Sequence, residues 1–207
     1  MTRGRFITLE GIEGAGKSSL QQALARALKE RGLDVVATRE PGGTPLAEQI
    51  RALVLARRAE GVPPATELLL MFAARAAHVA ELIEPALARG DWVLCDRFTD
   101  ASRAYQGAGR GLDPQAIEAL AAIAHPGLAP DLTLVLDLPP EEGLARARGR
   151  ASEGDRFEDE QLEFFARVRL GYLELAARDP ARMHVLDASQ PPATVRAAAL
   201  RLVEGLL

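Results

Sequence analysis

The octapeptide Gly11-Ile12-Glu13-Gly14-Ala15-Gly16-Lys17-Ser18 limits this chain more than any other feature. It satisfies G-x-x-x-x-G-K-[ST] at every fixed position. It follows the apolar run Phe6–Leu9 and opens a helical pattern, the strand–loop–helix context the motif needs. Glycines let successive N–H groups turn toward phosphate oxygens, and the following helix adds its positive end. The segment is therefore expected to bind a nucleoside triphosphate. Lys17 would reach the β- and γ-phosphates, and Ser18 would place its hydroxyl on Mg²⁺.

The rest of the chain suits a sheet built around that loop. Apolar runs at Val35–Thr38, Trp92–Cys95, Leu132–Leu136 and His184–Leu186 join Phe6–Leu9 as strands expected to be buried on both faces. Between them the spacing predicts helices over Lys17–Arg31, Leu46–Ala56, Ala65–Arg89, Pro114–Ala124, Pro140–Arg148, Asp159–Ala177 and Pro192–Leu206. Gly32 and Gly90 stand where helices end, and Asp113-Pro114 where one begins. Alternating strands and helices predict an α/β domain over residues 1–207, with a five-stranded parallel sheet covered on both faces.

Composition excludes several classes. Hydrophobic residues at 48% and charged residues at 26% rule out wholesale disorder. No run approaches the roughly 20 apolar residues of a membrane span, and Glu10 and Glu13 interrupt the short apolar start too early for a signal peptide. A net charge of −4 gives no general bias toward nucleic acid or anionic membrane. The single cysteine, Cys95, precludes an intrachain disulfide and fits a reducing compartment. We expect a cytoplasmic protein in which Cys95 packs in the core.

Within the phosphate-loop class, the guanine-reading N-K-x-D is absent, since Leu132–Leu136 runs into Asp137-Leu138-Pro139-Pro140. The strand Trp92–Cys95 ends in Asp96-Arg97, an acid beside a base. Asp96 could join Ser18 around magnesium. Arg97 could clamp a second phosphate, which suggests a phosphoryl acceptor at the carboxyl end of the sheet. An arginine-rich stretch from Arg146 to Glu160 reads as a mobile loop or as a solvated helix end. His78, His125 and His184 are read as structural.

Thr38-Arg39-Glu40-Pro41-Gly42-Gly43-Thr44, Asp96-Arg97-Phe98 and Ala104-Tyr105-Gln106-Gly107 follow the loop in that order. Together they resemble bacterial thymidylate kinases, from Phe6 to about Leu186. The resemblance implies the reaction ATP + dTMP → ADP + dTDP with Mg²⁺, strand order 2-3-1-4-5, and a homodimer. It implies that the loop 146–160 is a lid, with Arg150 and Arg156 the favoured catalytic arginines beside Lys17 and Arg97. One subtype of the family carries an arginine in the phosphate loop. Gly14 stands there instead, which assigns that charge to the lid. The resemblance further implies that Arg75 donates to thymine O4, that Met71 or Phe72 stacks on the base, and that Ser102 bonds its edge. Tyr105 would lie beneath the deoxyribose with Gln106 beside it. Glu13 would contact the sugar or magnesium, and Arg39 and Pro41 would line the acceptor side.

Two rivals stay open on sequence. One is a kinase for another nucleotide or a deoxynucleoside. The other is a nucleotide-dependent switch that hydrolyses ATP slowly and has no acceptor.

Overall fold

In a computed structural model, residues 3–148, 157 and 160–207 are described. Five strands, β1 (Phe6–Glu10), β2 (Val35–Arg39), β3 (Trp92–Asp96), β4 (Leu132–Asp137) and β5 (Met183–Asp187), form one parallel sheet in the order β2-β3-β1-β4-β5. Each strand runs one residue past its apolar run and ends on a charged side chain, Glu10, Arg39, Asp96, Asp137 or Asp187. Those ends lie on the edge where open parallel sheets hold ligands. Burial on both faces holds for β1, β3 and β4. The edge strands β2 and β5 are only part-buried, because each has a neighbour on one side alone.

Strand alternation sorts the core into two layers. Ile7, Leu9, Leu132, Leu134 and Leu136 face helices α1 (Lys17–Glu30) and α9 (Pro192–Glu204). Leu20, Leu24 and Leu28 of α1 recur at i+4, so one stripe of that helix buries completely. Each such leucine contributes about 1.5–3 kcal/mol as an upper bound. The opposite face carries Phe6, Val93, Cys95 and Val135. It is covered by α3 (Pro64–His78), α4 (Glu84–Arg89) and α8 (Leu162–Arg178). On that face Thr8, Glu10 and Thr133 form a buried polar seam. The Thr8 and Thr133 hydroxyls lie 2.7 Å apart, and Thr133 accepts from Arg182, which also pairs with buried Asp100.

The helix predicted over Ala65–Arg89 is interrupted. Between α3 and α4 the stretch Val79–Ile83 is π-helical, and Glu84 N–H bonds Val79 O. Pro85 lacks the N–H that would bond the carbonyl four residues back, which gives a local reason for the wider turn. A short α5 (Thr99–Ser102) and a second π-helical stretch, Arg103–Gly109, hold the A-Y-Q-G motif and were not foreseen as helix. The remaining helices are α2 (Pro45–Leu55), α6 (Pro114–Ala124) and α7 (Pro140–Arg148). Asp113 caps α6 by accepting from Gln115 N–H, as its sequence predicts. α7 runs through Arg148, so Arg146 is helical and its guanidinium bonds Ala188 O; most of the expected loop 146–160 lies outside the described residues. α8 starts at Leu162, not Asp159.

Candidate active site

The carboxyl ends of β1, β2 and β3 open into a cleft of about 400 Å³. At one end lies the phosphate loop. Lys17 enters α1 and bends back, its Nζ donating to Gly11 O at 2.9 Å and Ile12 O at 2.8 Å. Burial, with Arg97 beside it, pushes the Lys17 ammonium down to about 8, against the pull of Asp96, Glu13 and Glu10. Ile12 and Ala15 turn into the core and offer the site only their backbone. Gly14 has φ +75°, and a Cβ there would lie 2.0 Å from Gly143 O at the start of α7. No other residue fits so close to another backbone. This backbone therefore leaves no room for an arginine side chain at position 14. Ser18 Oγ donates to Asp96 Oδ2 at 3.0 Å, joining the loop to the end of β3.

Arg97 sits mid-cleft. Its Nη1 donates to Gly11 O at 3.0 Å, and its Nη2 to Glu13 Oε1 at 2.7 Å and Tyr105 OH at 3.1 Å. Tyr105 OH donates to Glu13 Oε2 at 2.7 Å, closing a triangle. Burial pushes the Glu13 carboxyl up, but Arg97 and Lys17 outweigh it and hold the group below its usual range. The Arg97 guanidinium also lies 4.9 Å from the Tyr105 ring centre.

The far end is built around Arg75 on α3. Its Nε donates to Glu40 Oε2 at 2.6 Å, Nη1 to Ser102 Oγ at 3.1 Å and Nη2 to Phe98 O at 2.9 Å. A guanidinium has five N–H groups, so two remain for a ligand. Glu40 is buried, yet Arg75 and His78 hold its carboxyl below the usual range. As a carboxylate it can only accept, so His78 donates to it through Nδ1 at 3.0 Å while Nε2 meets Thr38 Oγ1 at 2.7 Å. Gln106 lines the cleft. Its Nε2 donates to Glu67 Oε1 at 2.7 Å, which leaves buried Oε1 without a partner among the described residues.

Most sequence-predicted positions meet in this one cleft: Glu13, Gly14, Gly16, Lys17, Ser18, Arg39, Pro41, Met71, Arg75, Asp96, Arg97, Ser102, Tyr105 and Gln106 all line it. Arg39 lines it with its guanidinium committed to Glu48 at 2.6 and 3.0 Å. Of the two stacking candidates, Met71 lines it and Phe72 does not. One helical position from Met71 is a turn of about 100°, so Phe72 faces Ile117 and Ala121 of α6 and lies under the Arg75 guanidinium at 4.5 Å. Arg150 and Arg156 lie outside the described residues.

The thymidylate kinase family model matches residues 9–199. The chain belongs to the thymidylate kinase family. It is 58% identical to the thymidylate kinase of Pseudomonas entomophila (strain L48) over 204 residues, 99% of this chain and 97% of that protein. It is 56% identical to that of Methylococcus capsulatus over 207 residues, 100% of this chain and 98% of the relative. The crystal structure of thymidylate kinase from Ehrlichia chaffeensis superposes with a TM-score of 0.79 at 33% identity, covering 97% of this chain and 99% of that one. The strand order of this kinase is the one its family resemblance implied.

Sequence reasoning missed Glu40, Glu67, His78 and Arg51 as parts of the site. Arg51 of α2 lines the cleft and donates to Pro41 O at 2.8 Å. Glu40 stood in plain view inside the R-E-P-G-G-T segment. His78 was readable as structural, which it is, but its link to Arg75 needs the turn of α3 and the end of β2 together.

Proposed function

We propose that this thymidylate kinase family member transfers the γ-phosphoryl group of ATP to dTMP, giving ADP and dTDP. One observation carries the choice of acceptor: among the described residues, Arg75 has two N–H groups beyond its three bonds, and Gln106 Oε1 is an unpaired buried acceptor in the same cleft. Thymine offers the complement, an O4 acceptor and an N3–H donor. Cytosine offers an amino group and a bare N3, mismatched at both positions, and leaves buried polar groups unpaired.

The rest follows from position and charge. Met71 packs on the base, Ser102 and Phe72 hold Arg75, and Tyr105 lies beneath the deoxyribose, where its ring excludes a 2′-hydroxyl. Arg39 and Pro41 wall the acceptor side, and Glu13 meets the sugar or the metal shell. The acceptor phosphate has a second pKa of about 6, so it needs no general base. The barrier is the approach of two anions, and the chain answers it with cations. The loop N–H groups and Lys17 hold the ATP phosphates, and Arg97 holds the acceptor phosphate in line. Arg150 and Arg156 complete the charge from the lid segment of the single 1–207 domain. The hydroxyl of Ser18 and carboxylate of Asp96 are hard oxygen donors that suit Mg²⁺. Held by these two groups, Mg²⁺ would supply charge neutralisation for the phosphates.

We read the working form as a cytoplasmic homodimer. Leu53, Leu69 and Ile123, on the packed helices α2, α3 and α6, are 50%, 57% and 77% exposed, which supports an apolar interface there. Among the described residues no helix is long and apolar enough to cross a membrane.

The test is ADP formation with Mg·ATP against dTMP, dUMP, dCMP, dGMP, AMP and thymidine. Turnover with dTMP, weaker with dUMP, and at least about 10²-fold lower kcat/KM with dCMP is expected. ATP binding without transfer to any acceptor would sink the proposal and favour a switch.

A further inference from the structure

Arg97 is the one non-glycine residue among those described with positive φ, at +74°. A side chain pays about 1–2 kcal/mol to stand there, and such a backbone persists only where its surroundings hold it. Three contacts do so. Arg97 N–H donates to Leu9 O at 2.9 Å. Arg97 O accepts from the Cys95 thiol at 3.0 Å. The next peptide, Phe98 N–H, donates to Glu10 Oε1 at 2.7 Å. Glu10 is fully buried at the end of β1, and its other oxygen accepts from Tyr172 OH of α8 at 2.8 Å. Glu10 does not line the cleft.

We propose that Glu10, assisted by Cys95, is a positioning residue for phosphoryl transfer: by holding the Phe98 N–H it locks the left-handed turn that aims Arg97 across the cleft. This inference rests on the role given to Arg97 above. Without the tether the Arg97–Phe98 peptide relaxes toward φ < 0, and the guanidinium leaves Gly11 O, Glu13 and Tyr105. Glu10 thus acts on the reaction without reaching it.

A double-mutant cycle tests this. Glu10→Met keeps the volume and removes the acceptor. Glu10→Gln keeps an acceptor for Phe98 N–H. Glu10→Met is expected to lower kcat by about 10²-fold, the scale of a small misplacement of a catalytic group, with KM for ATP within about twofold. Glu10→Gln is expected to restore kcat to within about threefold of the parent. In an Arg97→Ala background Glu10→Met should change kcat by less than about twofold, since nothing remains to aim. Equal losses in both backgrounds, or a Gln variant as slow as the Met variant, would overturn the tether while leaving Arg97 its role. An Arg97→Ala enzyme with parental kcat would overturn both, and is recognised from that single variant. Should Glu10→Met not fold, Cys95→Ala removes the second tether. A kcat loss of several-fold that disappears in the Arg97→Ala background supports the proposal; a loss that persists there, or none, overturns it.

Discussion

Glu10 and Gly14 sit four residues apart and constrain the site by different physics, one by charge and one by space. Burial, with Asp100 nearby, pushes Glu10 up to about 8, against the hydrogen bond from Tyr172 and the charge of Arg97. A carboxyl with its pKa raised in the fold favours folding most while protonated. That advantage is complete below its ordinary value near 4.5 and is gone once the pH has risen through about 8. Glu10→Gln mimics the protonated form at every pH. Its stability relative to the parent should therefore increase between pH 5 and pH 8.5, by at least about 1 kcal/mol in urea unfolding. A gap that does not change with pH would refute the charge assignment. Gly14 gives a steric prediction. A methyl at this position meets Gly143 O at 2.0 Å and Gly143 Cα at 2.9 Å, both backbone atoms. Gly14→Ala should lower Tm by about 5–10 °C and weaken ATP binding more than tenfold. Calorimetry and nucleotide titration would check the pair, and an unchanged ATP affinity would show that the loop can shift without cost.

Elements assemble the site by ending in the right places. Gln21 on α1 donates to Thr38 O at 2.6 Å and to Leu94 O at 2.8 Å, stitching β2 to β3 just before Arg39 and Asp96. Replacing it with alanine leaves two carbonyls short of a donor. Gln21→Ala should cost about 1–3 kcal/mol in unfolding and raise KM for dTMP more than KM for ATP, read from initial rates. Equal changes in both would place its effect on the whole fold. The same elements show what a sequence can disclose. Strand positions and most helices were legible because period, caps and the phosphate loop are local signals, whereas the strand order came from the family resemblance alone. The π-helical stretches Val79–Ile83 and Arg103–Gly109 were not, since their hydrogen-bond register leaves no clear mark on hydropathy. The lining of the cleft was legible wherever a motif carried it. Glu40 and His78 were missed as a pair because they lie on different elements and meet only through the fold. The choice between Met71 and Phe72 stayed open because it needs the fold to show which way each of two adjacent helical residues faces.

At the scale of the whole molecule, the acceptor end draws on β2, α3 and α5, elements spread across one face of the sheet. A ligand there stabilises the chain as a unit. With dTMP at a hundred times its Kd, mass action adds about 2.7 kcal/mol, so Tm should rise by about 5–10 °C. The same concentration of dCMP should move it by less than about 2 °C. A thermal shift series measures both, and equal shifts would refute the reading of Arg75 and Gln106 as the pair that tells the bases apart.

The contact between Gly14 and Gly143 also bears on descent. With that charge coming from Arg150 and Arg156, as proposed, a lineage of this enzyme could not move it into the phosphate loop by one replacement at position 14. Position 14 would have to leave its left-handed backbone, and the start of α7 would have to recede from it, before a long side chain had room. Each change alone loosens the phosphate grip and brings no new charge.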